Sequence, residues 1–283
     1  MQNLSKLALY SLAWCIFLSM FGKNYRHEKD TPGRGQLWYV DLLLLINQNF
    51  VKWIWGWTML VITPFAVLFA YKIQHFKRRK FSNKKLKSSM QYHKLIHPLT
   101  RINLLGTIIW YLFTKLKSFL YNNTGRCLIE NSNKAVLQAS NAKSCRWLTN
   151  EEKLGQQGYW TGFNLSGHSF MLNFSFMIVA TELYGFYQLL KINYDTKSSK
   201  YSQQKTSKLL AFLKIYYHVC LFFLFLCLLC VSVTYLVYHT FIEKVIGTVL
   251  ALFCWQIIYF DYCKRGKEVV PFLIGEVMVL KED

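Results

Sequence analysis

Charged residues are scarce in this sequence, and acidic residues are the scarcest. Only 17% of the 283 residues are charged, with 14 Asp and Glu against 34 Lys and Arg, whereas a soluble domain usually has about a quarter. Four prolines and 14 glycines exclude a collagen-like chain, and eight cysteines are too few for a disulfide-rich scaffold of this length. A hydrophobic share of 53% also excludes general disorder.

Hydrophobic residues are instead abundant, and they form blocks of about twenty, the length that crosses roughly 30 Å of hydrocarbon. They predict an all-α integral membrane protein, with residues 1–283 as a single polytopic domain. We expect six spans, at 4–22, 50–71, 102–120, 168–190, 215–237 and 241–262. Lys115 and Lys117 weaken the third span, although both could snorkel to the interface. The first block resembles a signal peptide, but a retained helix is favoured because no small-x-small site follows Met20.

Basic residues are concentrated in alternate loops. Residues 72–101 hold ten Lys or Arg and no acid, and residues 191–208 hold five Lys and one Asp. Loops 23–49 and 121–163 are nearly balanced. The positive-inside rule therefore places both termini in the cytosol and loop 121–163 in a lumen. Since the surplus charge lies in these loops and not in a basic domain, no nucleic-acid binding is expected.

Two cysteines, Cys127 and Cys145, share the predicted lumenal loop. An oxidising lumen permits a disulfide between them, which we favour over two free thiols. The other six cysteines lie in or beside the predicted spans, where they are interpreted as small apolar residues.

Two histidines fall at the lumenal edge when the spans are counted. Ser166 is a natural N-cap for the fourth span, with Gly167 and His168 in its first turn. A helix N-terminus binds phosphate through its free N–H groups, and glycine permits a close approach. His168 is therefore placed to protonate a leaving group, and His239 could act as a nucleophile oriented by Glu243 one turn later. A purely structural helix cap is the alternative.

Two polar residues, Asn173 and Glu182, lie inside the fourth predicted span. They are candidate lipid contacts, with helix–helix hydrogen bonding as the alternative interpretation. A haem between His168 and His239 is disfavoured because both histidines lie at helix ends. No metal and no cofactor are expected.

The run Gly162–Leu172, with Glu182 further on, resembles the signature of the fat storage-inducing transmembrane family. Residues 49–58, 104–111 and 239–247 and the Cys127–Cys145 pair are also similar, in order, over about residues 47–260. The resemblance implies a six-span endoplasmic reticulum protein, distantly related to lipid phosphate phosphatases, that acts in lipid droplet formation. It also implies cleavage of fatty acyl-CoA to acyl 4′-phosphopantetheine and adenosine 3′,5′-bisphosphate, and binding of di- and triacylglycerol.

The phosphatase pattern is matched only in part. Ser166, Gly167 and His168 match its Ser-Gly-His, and by this resemblance His239 attacks phosphorus. Val233 stands where the last motif has arginine. A run resembling the first motif ends at Arg101 on the cytosolic side, and is interpreted as a coincidence. Two phosphate-clamping arginines are therefore missing, and the candidate substitutes are the lumenal cations Arg126, Arg146 and Lys244.

Two functions follow from these residues and this resemblance. The first is a membrane hydrolase that cuts the phosphoanhydride of acyl-CoA, with the acyl chain among the spans and the polar head at the histidines. The alternative is a non-enzymatic protein that binds di- and triacylglycerol and partitions neutral lipid into droplets. A transporter ranks third because the sequence has no evident inverted repeat.

The charge pattern generates a test of topology. Tags placed after Met1, within residues 84–88 and after Asp283 are expected to be accessible from the cytosol in selectively permeabilised cells. A tag between Ala135 and Asn141 is expected to be protected. Protection of the tag at 84–88 would reverse the orientation.

Overall fold

The structure, a computed structural model, describes residues 2–21, 45–47, 49–80, 99–129, 135–137, 158–197 and 208–262. Six long α-helices account for most of this part of the chain. They are α1 (Gln2–Phe21), α2 (Ile54–Lys80), α3 (Gly106–Thr124), α4 (Gly167–Lys197), α5 (Lys208–Val237) and α6 (Phe241–Gln256). A π-helical turn, Thr100–Leu105, leads into α3, and another, Ile257–Tyr262, continues α6.

Four of the helices in the described residues are long and apolar enough to cross a membrane. Their apolar stretches are Ile54–Tyr71, Gly167–Gln188, Leu209–Leu236 and Phe241–Tyr259. The first and third predicted spans are helical as well, but α1 is apolar only over the shorter stretch Ser5–Met20, and α3 includes Lys115 and Lys117. The helical membrane architecture is thus confirmed, while the number of six spans and the orientation of the termini stay predictions.

Helix α4 lies at the centre of the bundle. Of its apolar stretch, 83% is buried by the rest of the protein, against 39% in each of the other three candidate spans. It packs against α2, α5 and α6, while α1 covers α5 and α6. Phe170 and Phe174 are fully buried on α4, and Phe170 stacks on Phe113 of α3 with ring centroids 3.7 Å apart. The other three candidate spans therefore pack around one buried helix.

The predicted lumenal loop contains a small sheet that the all-α prediction missed. Strands β1 (Arg126–Ile129), β2 (Ala135–Leu137) and β3 (Gly158–Thr161) pair antiparallel in the order β2-β1-β3. The indole N–H of Trp160 donates to the carbonyl of Tyr121 at 3.1 Å, and the Tyr121 hydroxyl donates to the carbonyl of Trp160 at 3.1 Å. These reciprocal bonds fix the sheet to the end of α3, close to where α4 begins. Strands of three or four residues give too short an alternation to be recognised in the sequence.

Cys127 lies on β1 and is disulfide-bonded. Its predicted partner, Cys145, lies outside the described residues, so the pairing stays a prediction. Five cysteines in the described spans are free thiols, namely Cys15, Cys220, Cys227, Cys230 and Cys254.

Asn173 connects four helices through its side-chain amide. Its Nδ2 donates to the carbonyl of Ser169 and to the hydroxyl of Tyr235, both at 2.6 Å, and its Oδ1 accepts from Ser11 at 2.7 Å. Tyr235 is also hydrogen-bonded to Thr248 of α6 at 2.9 Å. These partners lie on α1, α4, α5 and α6. The Asn173 side chain therefore makes the helix–helix hydrogen bonds that are the alternative to a lipid contact.

Glu182 forms a buried ion pair with Arg101 deeper in the bundle. The guanidinium donates to Oε1 of Glu182 at 2.5 Å, and the hydroxyl of Tyr259 donates to the same oxygen at 2.9 Å. The Arg101 guanidinium also lies over the Tyr259 ring, 5.2 Å from its centroid. Since a buried charge is stable only when paired, this cluster fixes α4 against the π-helical turns that precede α3 and follow α6. Arg101 therefore has a structural partner that sequence reasoning did not identify.

The Arg101–Glu182 pair generates a stability prediction. Arg101→Leu leaves a buried carboxylate without its cation, which costs on the order of 3–5 kcal/mol. The thermal midpoint of the purified protein in detergent is therefore expected to fall. The double variant Arg101→Leu/Glu182→Leu is expected to recover most of the loss, because it removes both charges. Equal midpoints for the single and double variants would contradict a stabilising pair.

Candidate active site

The N-terminal ends of α4 and α6 lie side by side. The backbone N–H of Ser166 donates to the carbonyl of Glu243 at 3.3 Å. A Cβ added to Gly247 of α6 would come within 2.8 Å of the Ser166 carbonyl oxygen and 3.4 Å of the Ser169 Cβ. Because any larger residue at Gly247 would meet this backbone, glycine permits the close contact between the two helices.

Ser166 caps α4 in the way that the sequence predicts. Its hydroxyl oxygen accepts the backbone N–H of Ser169 at 3.2 Å and is 2.8 Å from the Ser169 hydroxyl. Ser166 is fully buried, so the cap is shielded from solvent. The N–H groups of Gly167 and His168 precede the first residue with an intrahelical acceptor. Together with the positive end of the helix dipole, they form a surface suited to a phosphate oxygen.

Glu243 joins the two helix ends through both of its carboxylate oxygens. Oε2 accepts the backbone N–H of Thr240 at 2.9 Å, which completes a capping box at the start of α6. Oε1 accepts the backbone N–H of Asn164 at 2.8 Å, in the segment before α4. The carboxylate is nearly fully buried and lies at two helix N-termini, where a negative charge is stabilised.

His239 is held by a strained backbone. It lies in the three-residue connection between α5 and α6, and its φ of 62° is left-handed, which costs roughly 1–3 kcal/mol in a residue other than glycine. Its Nδ1 is 3.5 Å from Oε2 of Glu243, without the alignment of a hydrogen bond, and its side chain is 11% exposed. Since Nδ1 faces the carboxylate, Nε2 is the nitrogen available to a substrate.

The structure brings the two candidate catalytic histidines together. The ring centroids of His168 and His239 are 6.3 Å apart, and His168 lies parallel to the Tyr238 ring at 5.8 Å. A nucleophile starts roughly 3–3.5 Å from the atom that it attacks, and an acid lies roughly 2.6–3.2 Å from the oxygen that it protonates. The separation is thus suited to two imidazoles acting on opposite sides of one phosphoryl group.

Two of the predicted substitutes for the missing arginines, Lys244 and Arg126, lie among the described residues. Lys244 is 2% exposed, and its Nζ donates to the carbonyl of Tyr235 at 2.6 Å. It therefore satisfies a carbonyl group in the last turn of α5. Arg126 is exposed on β1, and Arg146 lies outside the described residues. Glu182 lies fourteen residues along α4 from His168, about 21 Å in a helix, and Arg101 is bonded to Glu182 at that depth.

Lys117 is the cation that sequence reasoning missed. It was expected only to snorkel to the interface, yet a Cβ on Gly167 would lie 3.4 Å from its Nζ. The sequence indicates a lysine near the end of α3, but it does not indicate its direction, since only the packing of α3 on α4 determines which of Lys115 and Lys117 faces the site.

Among the described residues, no group of three or more His, Cys, Asp or Glu is arranged to hold a metal ion.

The chain is similar to a known family and to named relatives within it. The profile of the family described as "Fat storage-inducing transmembrane protein" matches residues 38–259. The acyl-coenzyme A diphosphatase FITM2 of Xenopus tropicalis is 26% identical over 215 residues, covering 76% of this chain and 68% of the relative. The protein of the same name from Homo sapiens is 25% identical over 261 residues, covering 92% and 86%. That from Caenorhabditis elegans is 24% identical over 255 residues, covering 90% and 77%. No solved structure matches the chain.

The contact at Gly247 generates a prediction with an internal control. Gly247→Ala is expected to lower the thermal midpoint in detergent, because its methyl group would press on the Ser166 carbonyl. Gly56→Ala in α2 has nothing within 4 Å of the new methyl group, and is expected to hold or raise the midpoint, since alanine favours a helix by about 1 kcal/mol over glycine. Equal effects of the two substitutions would refute the close contact.

Proposed function

We propose an activity for this chain from the premise that it belongs to the fat storage-inducing transmembrane family, whose profile covers residues 38–259. The activity is that of a fatty acyl-CoA diphosphatase, a hydrolase acting on an acid anhydride. Relatives from several animals are named acyl-coenzyme A diphosphatase and align with most of the chain. The observation that carries the proposal is the His168–His239 pair at the capped N-terminus of α4.

The proposed reaction begins with the phosphoanhydride of acyl-CoA at the start of α4. The N–H groups of Gly167 and His168 bind the phosphate oxygens, aided by the helix dipole. Nε2 of His239 attacks one phosphorus, forming a P–N bond as the bond to the bridging oxygen breaks. His168, in its protonated form, gives its proton to that oxygen. Glu243 faces Nδ1 of His239 and stabilises the positive charge that develops on the ring.

A water molecule completes the proposed cycle. Neutral His168 takes a proton from the water, whose oxygen attacks the phosphorus and breaks the P–N bond. His239 is released unmodified, and one water is consumed in each turnover. The products are acyl 4′-phosphopantetheine and adenosine 3′,5′-bisphosphate.

We further propose the placement of this site in the cell. The chain is a single six-span domain in the endoplasmic reticulum membrane, with cytosolic termini and the histidines facing the lumen. The loop charges support this orientation, because the segment 121–163 that precedes α4 is nearly balanced while residues 72–101 carry ten basic residues. The acyl chain lies among the helices, and di- and triacylglycerol bind from the bilayer during lipid droplet formation.

Histidine substitutions test the proposed activity. His168→Ala removes the proposed acid, and His239→Ala removes the proposed nucleophile. Each is expected to abolish turnover. A general acid alone contributes about 10²–10⁴-fold to a rate. The assay follows the release of adenosine 3′,5′-bisphosphate from a long-chain acyl-CoA by the purified full-length protein in detergent.

His218→Ala is the matched control. His218 is exposed on α5. Its Nδ1 lies 2.8 Å from the Lys214 carbonyl and its ring packs edge-on against Tyr217, both on the same helix, so this variant is expected to retain full activity. Full activity of either His168→Ala or His239→Ala would refute the mechanism. Loss of activity with unchanged binding of triacylglycerol would separate hydrolysis from neutral-lipid binding.

A further inference from the structure

Lys117 reaches the N-terminus of α4 from the neighbouring helix. Its Nζ would be 3.4 Å, and its Cδ 3.9 Å, from a Cβ placed on Gly167. It is close enough to His168 and Glu243 for an electrostatic interaction with each. It is partly buried, and within the described part of the chain its ammonium has no hydrogen bond or ion pair. Its three donors are therefore available to a ligand at this end of α4.

Packing between α3 and α4 explains why Lys117 faces the site. Phe113 stacks on Phe170 with ring planes 5° apart, which fixes the rotation of α3. Lys117 follows Phe113 by one turn, and Gly167 precedes Phe170 by about one turn, so the two helices run antiparallel. Lys117 is thereby placed on the same face as Phe113. The absence of a side chain at Gly167 leaves room beside the ammonium.

Lys115 differs from Lys117 although it is only two residues away on the same helix. It is exposed, and its Nζ lies 5.3 Å from the centroid of the Tyr111 ring on its own helix. Residues two apart on a helix do not share a face. Lys115 thus provides a cation at similar depth that lacks the contact with α4.

We propose that Lys117 is a catalytic residue that binds the non-bridging oxygens of the phosphoryl group under attack, in the position that arginines would otherwise occupy. The inference rests on the proposed function, which supplies the reaction. A phosphoryl transition state is stabilised mainly by positioned positive charge. The N–H groups of Gly167 and His168 approach the phosphoryl group from α4, and Lys117 approaches it from α3. Lys244 does not take this role, because its ammonium is buried and donates to the Tyr235 carbonyl.

Three variants of the full-length protein test the role of Lys117. Lys117→Met keeps the length of the side chain without its charge, and is expected to lower kcat/KM for acyl-CoA by about 10²–10³-fold, as for loss of one donor to a developing oxyanion. Lys117→Arg is expected to restore much of the activity, because a guanidinium also binds phosphate. Lys115→Met is expected to match the wild type. All three are expected to match its thermal midpoint, since both lysines lie outside the buried core.

Orthovanadate binding provides a readout that is independent of turnover. Vanadate resembles a phosphoryl group in transfer, and isothermal titration into the wild-type protein in detergent measures its affinity directly. Lys117→Met is expected to weaken binding by about tenfold or more, the effect of losing a charge-assisted hydrogen bond. Lys115→Met is expected to leave the affinity unchanged.

The outcomes separate the inference from the proposed function. Wild-type turnover with equal turnover by Lys117→Met would overturn the role of Lys117 and leave the histidine mechanism standing. Equal losses in the Lys115 and Lys117 variants would also overturn it, since the effect would then be one of general surface charge. If the wild type binds vanadate through Lys117 but does not cleave acyl-CoA, the phosphate site stands and the proposed substrate is wrong.

Discussion

The carboxylate of Glu243 is the group on which the geometry of the candidate site depends. Helices α4 and α6 begin side by side, so two positive helix ends lie close together and repel each other. The buried negative charge of Glu243 between them offsets this repulsion. Its carboxylate oxygens accept hydrogen bonds from both segments, from the backbone N–H of Asn164 at 2.8 Å and that of Thr240 at 2.9 Å. Asn164 precedes the Ser166 cap and Thr240 follows His239, so a single side chain fixes both backbone segments that carry the histidines.

Polar groups deeper in the bundle fix the rotation of α4 and thus the direction of His168. Asn173 is bonded to Tyr235 and Ser11, and Glu182 to Arg101 and Tyr259. A helix that is apolar on all sides can rotate with little change in burial. Hydrogen bonds within hydrocarbon, by contrast, require particular partners, because unpaired polar groups there are costly. The two clusters lie on opposite halves of the span and together define one rotation.

The sequence predicts the features that depend on local patterns. Apolar blocks locate all six helices, the Ser166 cap follows from its residue type and position, and counting spans places His168 and His239 at one edge. Helix rotation has no such local signal, because α3 is apolar on several faces. For that reason the direction of Lys117 and the Arg101–Glu182 pair emerge only from packing. The resemblance of the run ending at Arg101 to the first phosphatase motif is interpreted from the sequence as a coincidence. The structure places Arg101 beside Glu182, far along α4 from His168, and the sequence does not indicate this partner.

The charges at the candidate site determine how a phosphate can be held there. The site contains a carboxylate, whereas the substrate that we propose for it is a phosphate anhydride, and the two negative charges repel each other. The Glu243 charge is partly neutralised by backbone N–H groups, which leaves the helix dipoles and, by our proposal, Lys117 to attract the substrate. A lysine is a point charge and cannot orient phosphate as the bidentate fork of an arginine does. Orientation must then come from the N–H groups of Gly167 and His168 and from the histidine pair. The buried Ser166 cap and the close contact at Gly247 supply the rigidity that this arrangement needs.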